Sequence, residues 1–377
     1  MVTSKRRWRF LRPLRKISLY IVSVFLYYTG LLKLLLLILP RLKTNRKAVI
    51  LYYHRVIDFS KVPFSRSSFY FEEIGVPVED FERQMRYLAK NHNVISLEEL
   101  ARALNDGGRI PPNAVVITFD DGYEDNYVYA YLILHRYNIP ATIFVIAGYV
   151  GSGRILWWDK LREVIDRANP EAFRNIDLPE GIYPQPIRQE LFRLKLSTQE
   201  DKKSAYRKLT SLMKNFDPER CNLMVDDLAW RIGCRMEDLP SKYSLLSWGQ
   251  VNEMMEDGIS IGSHTVTHPD LTVCPYERLK EEIKASKRLI EEKIGEPVNL
   301  LAYPSGQFND LAKQITIKSG YIIACSAEDT LPDTYNGDLF ELRRIGVDNL
   351  RFKNLLGGFS KAMFGLKLLY WSLVSML

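Results

Sequence analysis

The stretch Ala114–Tyr123, AVVITFDDGY, constrains the fold more than any other part of this 377-residue chain. Val115, Val116, Ile117 and Phe119 form an apolar run too short for a helix and rich in β-branched residues, so it reads as a buried strand. The strand ends in two adjacent carboxylates, Asp120 and Asp121, followed by Gly122. Successive strand residues point to opposite faces, so the two acids diverge unless the backbone turns, and a glycine can supply the turn. Paired acids at the C-terminal tip of a buried parallel strand stand where open α/β sheets and barrels build their sites. The plainer alternative is that one of them only caps a helix starting near Tyr123.

Around this strand the pattern alternates. Ala48–His54 (AVILYYH) reads as a strand ending in a histidine, Pro77–Asn91 as a helix, and Val94–Ser96 as a short strand. Ser96 is the N-cap of a further helix. Asp125–Tyr137 follows the central strand as a helix, and Ala141–Ala147 is the next strand. The rhythm then breaks over residues 151–246, where helical pieces (Trp157–Ala168, Gln189–Phe216, Val225–Ile232) read as an insertion. It resumes with helices Trp248–Asp257, Tyr276–Ile294 and Asp310–Ser319 between strands Ile259–Ile261, Val298–Ala302 and Tyr321–Cys325. Arg343–Val347 is the last strand. Alternating strands and helices mean a parallel sheet. Seven or eight such units favour a closed or nearly closed barrel over an open sheet.

Charge divides the chain into three. Residues 1–47 hold twelve Lys or Arg and no acid, and residues 351–377 hold four bases and no acid. That leaves 36 bases against 45 acids in residues 48–350, a net of −9. The basic ends are also strongly apolar, which points to a membrane surface and gives no support to nucleic-acid binding. Within the N-terminal segment, residues 17–39 are almost wholly apolar. As one helix they reach ~34 Å, enough to cross a core of about 30 Å. The run exceeds the usual ~7–15 residue core of a signal peptide. Lys33 and bases on both flanks keep an interfacial or re-entrant helix as the alternative to spanning. The C-terminal segment 351–377 is expected to touch the membrane too, against the alternative of a core-capping helix. A membrane-associated protein of the bacterial inner or cell membrane follows. The four cysteines have no metal-like spacing.

The second chemical signal is Gly262-Ser263-His264-Thr265-Val266-Thr267-His268. Two of only five histidines lie four apart just after a strand. On a helical turn, positions i and i+4 share a face, so both imidazoles can reach one cation. Two histidines with one carboxylate make an open catalytic metal site.

TFDDG (Thr118–Gly122), SHTVTH (Ser263–His268) and AYPSG (Ala302–Gly306), in that order, resemble the metal-dependent polysaccharide deacetylases of carbohydrate esterase family 4. The likeness covers roughly residues 48–350, interrupted by the insertion. The resemblance implies a distorted (β/α)7 barrel. It implies that Asp121, His264 and His268 hold a divalent metal, usually zinc (Co2+, Mn2+ and Ni2+ being alternatives), and that Asp120 is the general base. It implies that the backbone N–H of Tyr303, next to Pro304, stabilises the oxyanion. Many members carry a late Leu-x-His whose histidine protonates the leaving amine, but no histidine follows His268 here. The poly-N-acetylglucosamine deacetylases place that histidine on the first strand, where His54 stands. The family often has Arg three residues before its motif proline, and here that position is Leu301. Arg343 or Arg344 can take its place beside Asp120, a surface salt bridge being the plain alternative. Trp157-Trp158-Asp159 opens the insertion, and Trp158 either stacks on a sugar or anchors the insertion. The expected function is N-deacetylation of an amino-sugar glycan, polyprenyl-linked or a nascent envelope polysaccharide. O-deacetylation, deformylation and an inactive glycan-binding scaffold are the alternatives.

Overall fold

The computed structural model describes residues 3–38, 48–61, 74–173, 176–234, 243–327, 337–349 and 351–374. Ten strands occur in it: β1 Val49–Tyr53, β2 Arg55–Ile57, β3 Gly75–Pro77, β4 Asn93–Val94, β5 Ala114–Phe119, β6 Ala141–Val145, β7 Ser260–Ser263, β8 Leu300–Ala302, β9 Ile323–Ala327 and β10 Leu342–Gly346. Seven of them, β1 and β5 to β10, close into a parallel barrel. The closing seam runs between β1 and β5, from Val49 opposite Val115 to Tyr53 opposite Phe119. β6 meets β5 only from Ile117 upward. The short β4 fills the lower part of that edge, against Ala114 and Val115. The barrel is therefore distorted where its central strand is longest. β2 and β3 make a separate parallel pair that the sequence pattern did not reveal.

β5 is buried at every position, as a strand packed on both faces must be. Phe119 stacks on Tyr53 and meets Phe81 of the helix Val78–Asn91 edge to face. Removing a buried Phe of this kind costs about 3–5 kcal/mol. Ser96 forms the expected cap, accepting from the Glu99 amide while Glu99 accepts from the Ser96 amide.

The insertion builds its own apolar core from Trp157, Leu161, Leu209, Val225 and Leu228, among others. The single helix expected over Gln189–Phe216 is two, Gln185–Phe192 and Gln199–Met213. Thr198 causes the break, because its side chain and that of Asp201 form a capping box that starts the second helix. The insertion returns to the barrel at Leu246, whose amide donates to the Gly122 carbonyl beside the paired acids.

Both apolar ends take a definite shape. The apolar run does not form one helix: Thr3–Tyr28 ends at Thr29-Gly30, and Leu31–Ile38 leaves at 81°. Among the described residues no single helix is long and apolar enough to cross a membrane; Leu39 lies outside them. At the other end, the helix Lys361–Val374 buries Phe364, Leu368 and Leu369 against the protein. It is a core-capping helix on its inner face, because Phe364 packs edge-on against Tyr87 and Phe352.

Candidate active site

The C-terminal tips of the strands converge on one cavity of about 280 Å³, which includes Asp120 and Asp121 after β5, His54 after β1, and His264 and His268 after β7. Asp121 and Gly122 both take left-handed backbone, with φ of 73° and 74°. Two such residues in succession bend the chain sharply, so the acids that would diverge on a strand both face the cavity. Thr265 and His268 are also left-handed, at 68° and 64°. Non-glycine residues in this region cost about 1–3 kcal/mol each and cluster at functional sites.

Asp121, His264 and His268 offer ligand atoms that all lie within 4.8 Å of one another. Asp121 Oδ1 is 3.7 Å from Nε2 of both histidines. His264 Nδ1 donates to the Ala302 carbonyl at 2.7 Å, which leaves the Nε2 lone pair facing Asp121. Burial lowers the pKa of both imidazoles, with the neighbouring His264 and Lys214 adding to the effect at His268. Both rings are therefore neutral near pH 7 and free to ligate. Burial, then Asp120 and Asp159, push the Asp121 carboxyl well above its usual pKa. A buried acid made costly to ionise, facing two neutral imidazole nitrogens, fits a divalent cation.

Glu282 holds the His264–His268 loop. Its carboxylate accepts from the amides of Val266 and Thr267 at 2.8 Å each and from Thr267 Oγ1 at 2.6 Å. Arg278 pairs with the same carboxylate at 2.9 Å. Nothing in the sequence marked Glu282, one acid among several on an amphipathic helix.

Asp120 is gripped by Arg344, whose Nη1 and Nη2 donate to its two oxygens at 2.7 and 2.8 Å. Arg344 also donates to Thr118 Oγ1 and to the Ser326 carbonyl, and it is fully buried. Burial alone would raise the Asp120 pKa, but Arg344 and His264 outweigh it and hold the carboxyl below the usual range. Arg344 thus takes the place beside Asp120 and is no surface salt bridge: a guanidinium enclosed by Asp120, Thr118 and Ser326 positions the acid. His54 lines the same cavity, and its carbonyl accepts from Asn126 Nδ2 at 2.9 Å. Burial lowers its pKa to about 4, so it is neutral at pH 7.

The AYPSG expectation is also corrected. The Tyr303 amide donates to the Cys325 carbonyl at 2.9 Å, so it is engaged within the barrel and not offered to an oxyanion. Its buried ring stacks on Phe308. Pro304 is buried as well, and it is Ser305 and Gly306 that reach the cavity. Trp158 does line it, with its ring 4.9 Å from that of His268 and its Nε1 donating to Tyr123 Oη.

Sequence reasoning missed one wall altogether. Tyr206, Thr210 and Lys214 of the insertion, spaced four apart, line the cavity. Lys214 Nζ donates to Ser305 Oγ at 3.0 Å, bridging insertion and barrel. The helical spacing was visible in the sequence, but nothing there said which way that face would turn.

The chain has counterparts among known proteins. It matches the family model described as Polysaccharide deacetylase over residues 107–176 and 223–324; the gap between them falls inside the insertion. It is 22% identical over 291 residues, 77% of this chain and 72% of the other, to Bacillus subtilis (strain 168) YxkH, itself described only provisionally as a polysaccharide deacetylase. It is 37% identical over 117 residues to the poly-beta-1,6-N-acetyl-D-glucosamine N-deacetylase of Staphylococcus aureus (strain MSSA476), a match taking in 29% of this chain and 39% of that protein. The fold resembles that of the Streptococcus pyogenes deacetylase PplD in complex with acetate, with TM-score 0.50, 21% identity, and 80% and 92% of the two chains covered.

Proposed function

Starting from a chain that belongs to the polysaccharide deacetylases, we propose that it removes the N-acetyl group from an amino-sugar glycan of the poly-N-acetylglucosamine type. The staphylococcal relative supports the sugar. The observation that carries the chemistry is the set in one cavity: a carboxylate held ionised by a bidentate arginine beside a three-donor cluster. Asp121, His264 and His268 would hold a divalent ion, and two imidazoles with one carboxylate suit zinc. When bound, such an ion polarises the acyl carbonyl and lowers the pKa of water.

The chain's own residues supply the proton transfers. Asp120, ionised and fixed by Arg344, takes the proton of the attacking water. His54 enters the cycle neutral, so it takes up a proton, in net terms the one that Asp120 removes from the water, before it gives one to the leaving nitrogen. An amine leaves poorly without that proton, and an alkoxide needs it less, so an acid in this position matters most for amide cleavage. Trp158 offers an aromatic face beside His268 for the sugar ring. Tyr206, Thr210 and Lys214 of the insertion add polar groups to the same cavity.

The test incubates the full chain with partially acetylated glucosamine oligomers and with an O-acetylated sugar, and follows acetyl loss by mass spectrometry. Loss from the amide substrate is expected, with or without loss from the ester. Turnover of the ester alone would move the reading to O-deacetylation, and no turnover of either by metal-loaded protein would leave a glycan-binding scaffold.

A further inference from the structure

Exposed apolar side chains elsewhere are mostly scattered, but along the two N-terminal helices they form a ridge. Val22, Phe25, Tyr28, Leu31, Leu34 and Leu37 recur every three residues and are 38–79% exposed. The spacing carries on from the first helix to the second past the 81° bend. Exposed apolar side chains gathered in this way on a folded protein mark an interaction surface. The inner faces of the same helices are committed to the protein. Leu32 and Leu36 are buried against Leu369, and the Leu36 carbonyl accepts from Asn113 Nδ2 at 2.7 Å. A second apolar feature lies alongside. Leu355 and Leu356 stand 53% and 96% exposed at the tip of the turn between Lys353 and Phe359. Asn354 and Phe359 of that turn share a surface hollow with Tyr20, Val24, Tyr27 and Tyr28.

Length and charge identify the partner. The apolar part of the first helix, Lys16–Tyr28, reaches ~20 Å and Leu31–Ile38 ~12 Å, so neither crosses about 30 Å of hydrocarbon. Straightening them would tear Leu32 and Leu36 from their sites. Seven bases lie in residues 5–16 and four in 41–47, with no acid in 1–47. A crossing helix would put these two groups on opposite faces of the membrane. A helix pair lying in the interface puts all of them beside anionic head groups.

We propose that the bent helix pair, with the Leu355–Leu356 turn, docks the barrel in the plane of one leaflet of an anionic bilayer without crossing it. The basic N-terminal end and the barrel then share one side of the membrane.

Two measurements on the full chain test this. Ser4→Cys and Ser204→Cys variants are labelled with a membrane-impermeant maleimide in right-side-out and inside-out vesicles from expressing cells, with the unmodified chain as background. Both positions are expected to label in the same vesicle orientation; labelling in opposite orientations would overturn the proposal in favour of a span. In the second, purified Phe25→Glu/Leu34→Glu protein is sedimented with vesicles of phosphatidylglycerol and phosphatidylethanolamine. Both side chains are exposed, so the thermal midpoint stays that of the unmodified chain, while partition falls by at least ~100-fold, about tenfold or more for each apolar contact replaced by charge. Unchanged partition overturns the proposal, and if a dimer becomes a monomer at the same time, the ridge is an interface between copies.

Discussion

Arg344→Met exposes what the buried pair does for Asp120. Both side chains are enclosed, Arg344 at 0% and Asp120 at 4% exposure, and joined by two hydrogen bonds of 2.7 and 2.8 Å. Taking away the guanidinium leaves a buried carboxylate without its counter-charge. Breaking a buried pair from one side costs about 3–5 kcal/mol. At roughly 2–4 °C per kcal/mol for a large domain, the thermal midpoint falls on the order of 10 °C. The pH dependence fixes the cause. In the unmodified chain the folded-state pKa of Asp120 is depressed, so its contribution is full above the unfolded value of about 3.9 and is lost as pH falls through the folded pKa. In the variant burial acts unopposed by Arg344 and moves the folded pKa upward. The carboxyl then takes up a proton as the pH falls, so the deficit in midpoint is widest in alkaline buffer and narrows toward acid. The acid limb of kcat/KM moves to higher pH, because the base is protonated over more of the range. Arg344→Lys keeps the charge and loses the fork, so it falls between the two. Arg344→Met/Asp120→Asn costs less than the sum of its parts. A variant that melts with the unmodified chain at every pH, with its acid limb unmoved, would refute the reasoning.

Two further outcomes follow from the same cavity. His264→Ala or His268→Ala loses the bound divalent ion along with activity, by elemental analysis. Asp120→Asn keeps the ion and loses ~10²–10⁴ in turnover, and full metal content in the His264→Ala/His268→Ala double variant would sink the ligand assignment. Because burial makes Asp121 hold its proton more tightly than an ordinary carboxyl, a proton competes with the ion for that ligand, so metal affinity starts to fall at a higher pH than it would with an unperturbed carboxylate. Calorimetric titrations of the metal-free protein with zinc over a series of pH values follow this, and an affinity that weakens only where a free carboxyl titrates contradicts the raised pKa of Asp121.

What could be read before the structure was what repeats or punctuates. The barrel strands fell near their observed places because a parallel strand buried on both faces is a short apolar run. Ser96 capped its helix because the chemistry of the cap lies within four residues. Asp120, Asp121, His264 and His268 stood out because unusual residue types sit just past strands. The failures came where distant residues decide. The apolar stretch 17–39 looks like one helix until Gly30, at φ 76°, turns it onto Leu369 and Asn113. Tyr303 lost its expected role to a barrel hydrogen bond with Cys325, twenty-two residues further on in the next strand. Glu282 is one acid on a charged helix until the fold brings it under Val266 and Thr267.

The strain at the site and the hydrogen bonds that oppose it come from different parts of the chain. Asp121, Thr265, His268 and Ser305 are four of the six non-glycine residues with positive φ among those described. At about 1–3 kcal/mol each, these conformations would relax if the loops were free. They are not free. Glu282 takes both amides of the histidine loop, Thr265 Oγ1 accepts from the His268 amide, and Leu246 donates to the Gly122 carbonyl. Two of these three fastenings come from outside the three sequence motifs, one from a helix and one from the end of the insertion. The motif residues alone therefore do not specify the site. A chain could keep TFDDG and SHTVTH and still lose the converging geometry if Glu282 or the return of the insertion at Leu246 were altered.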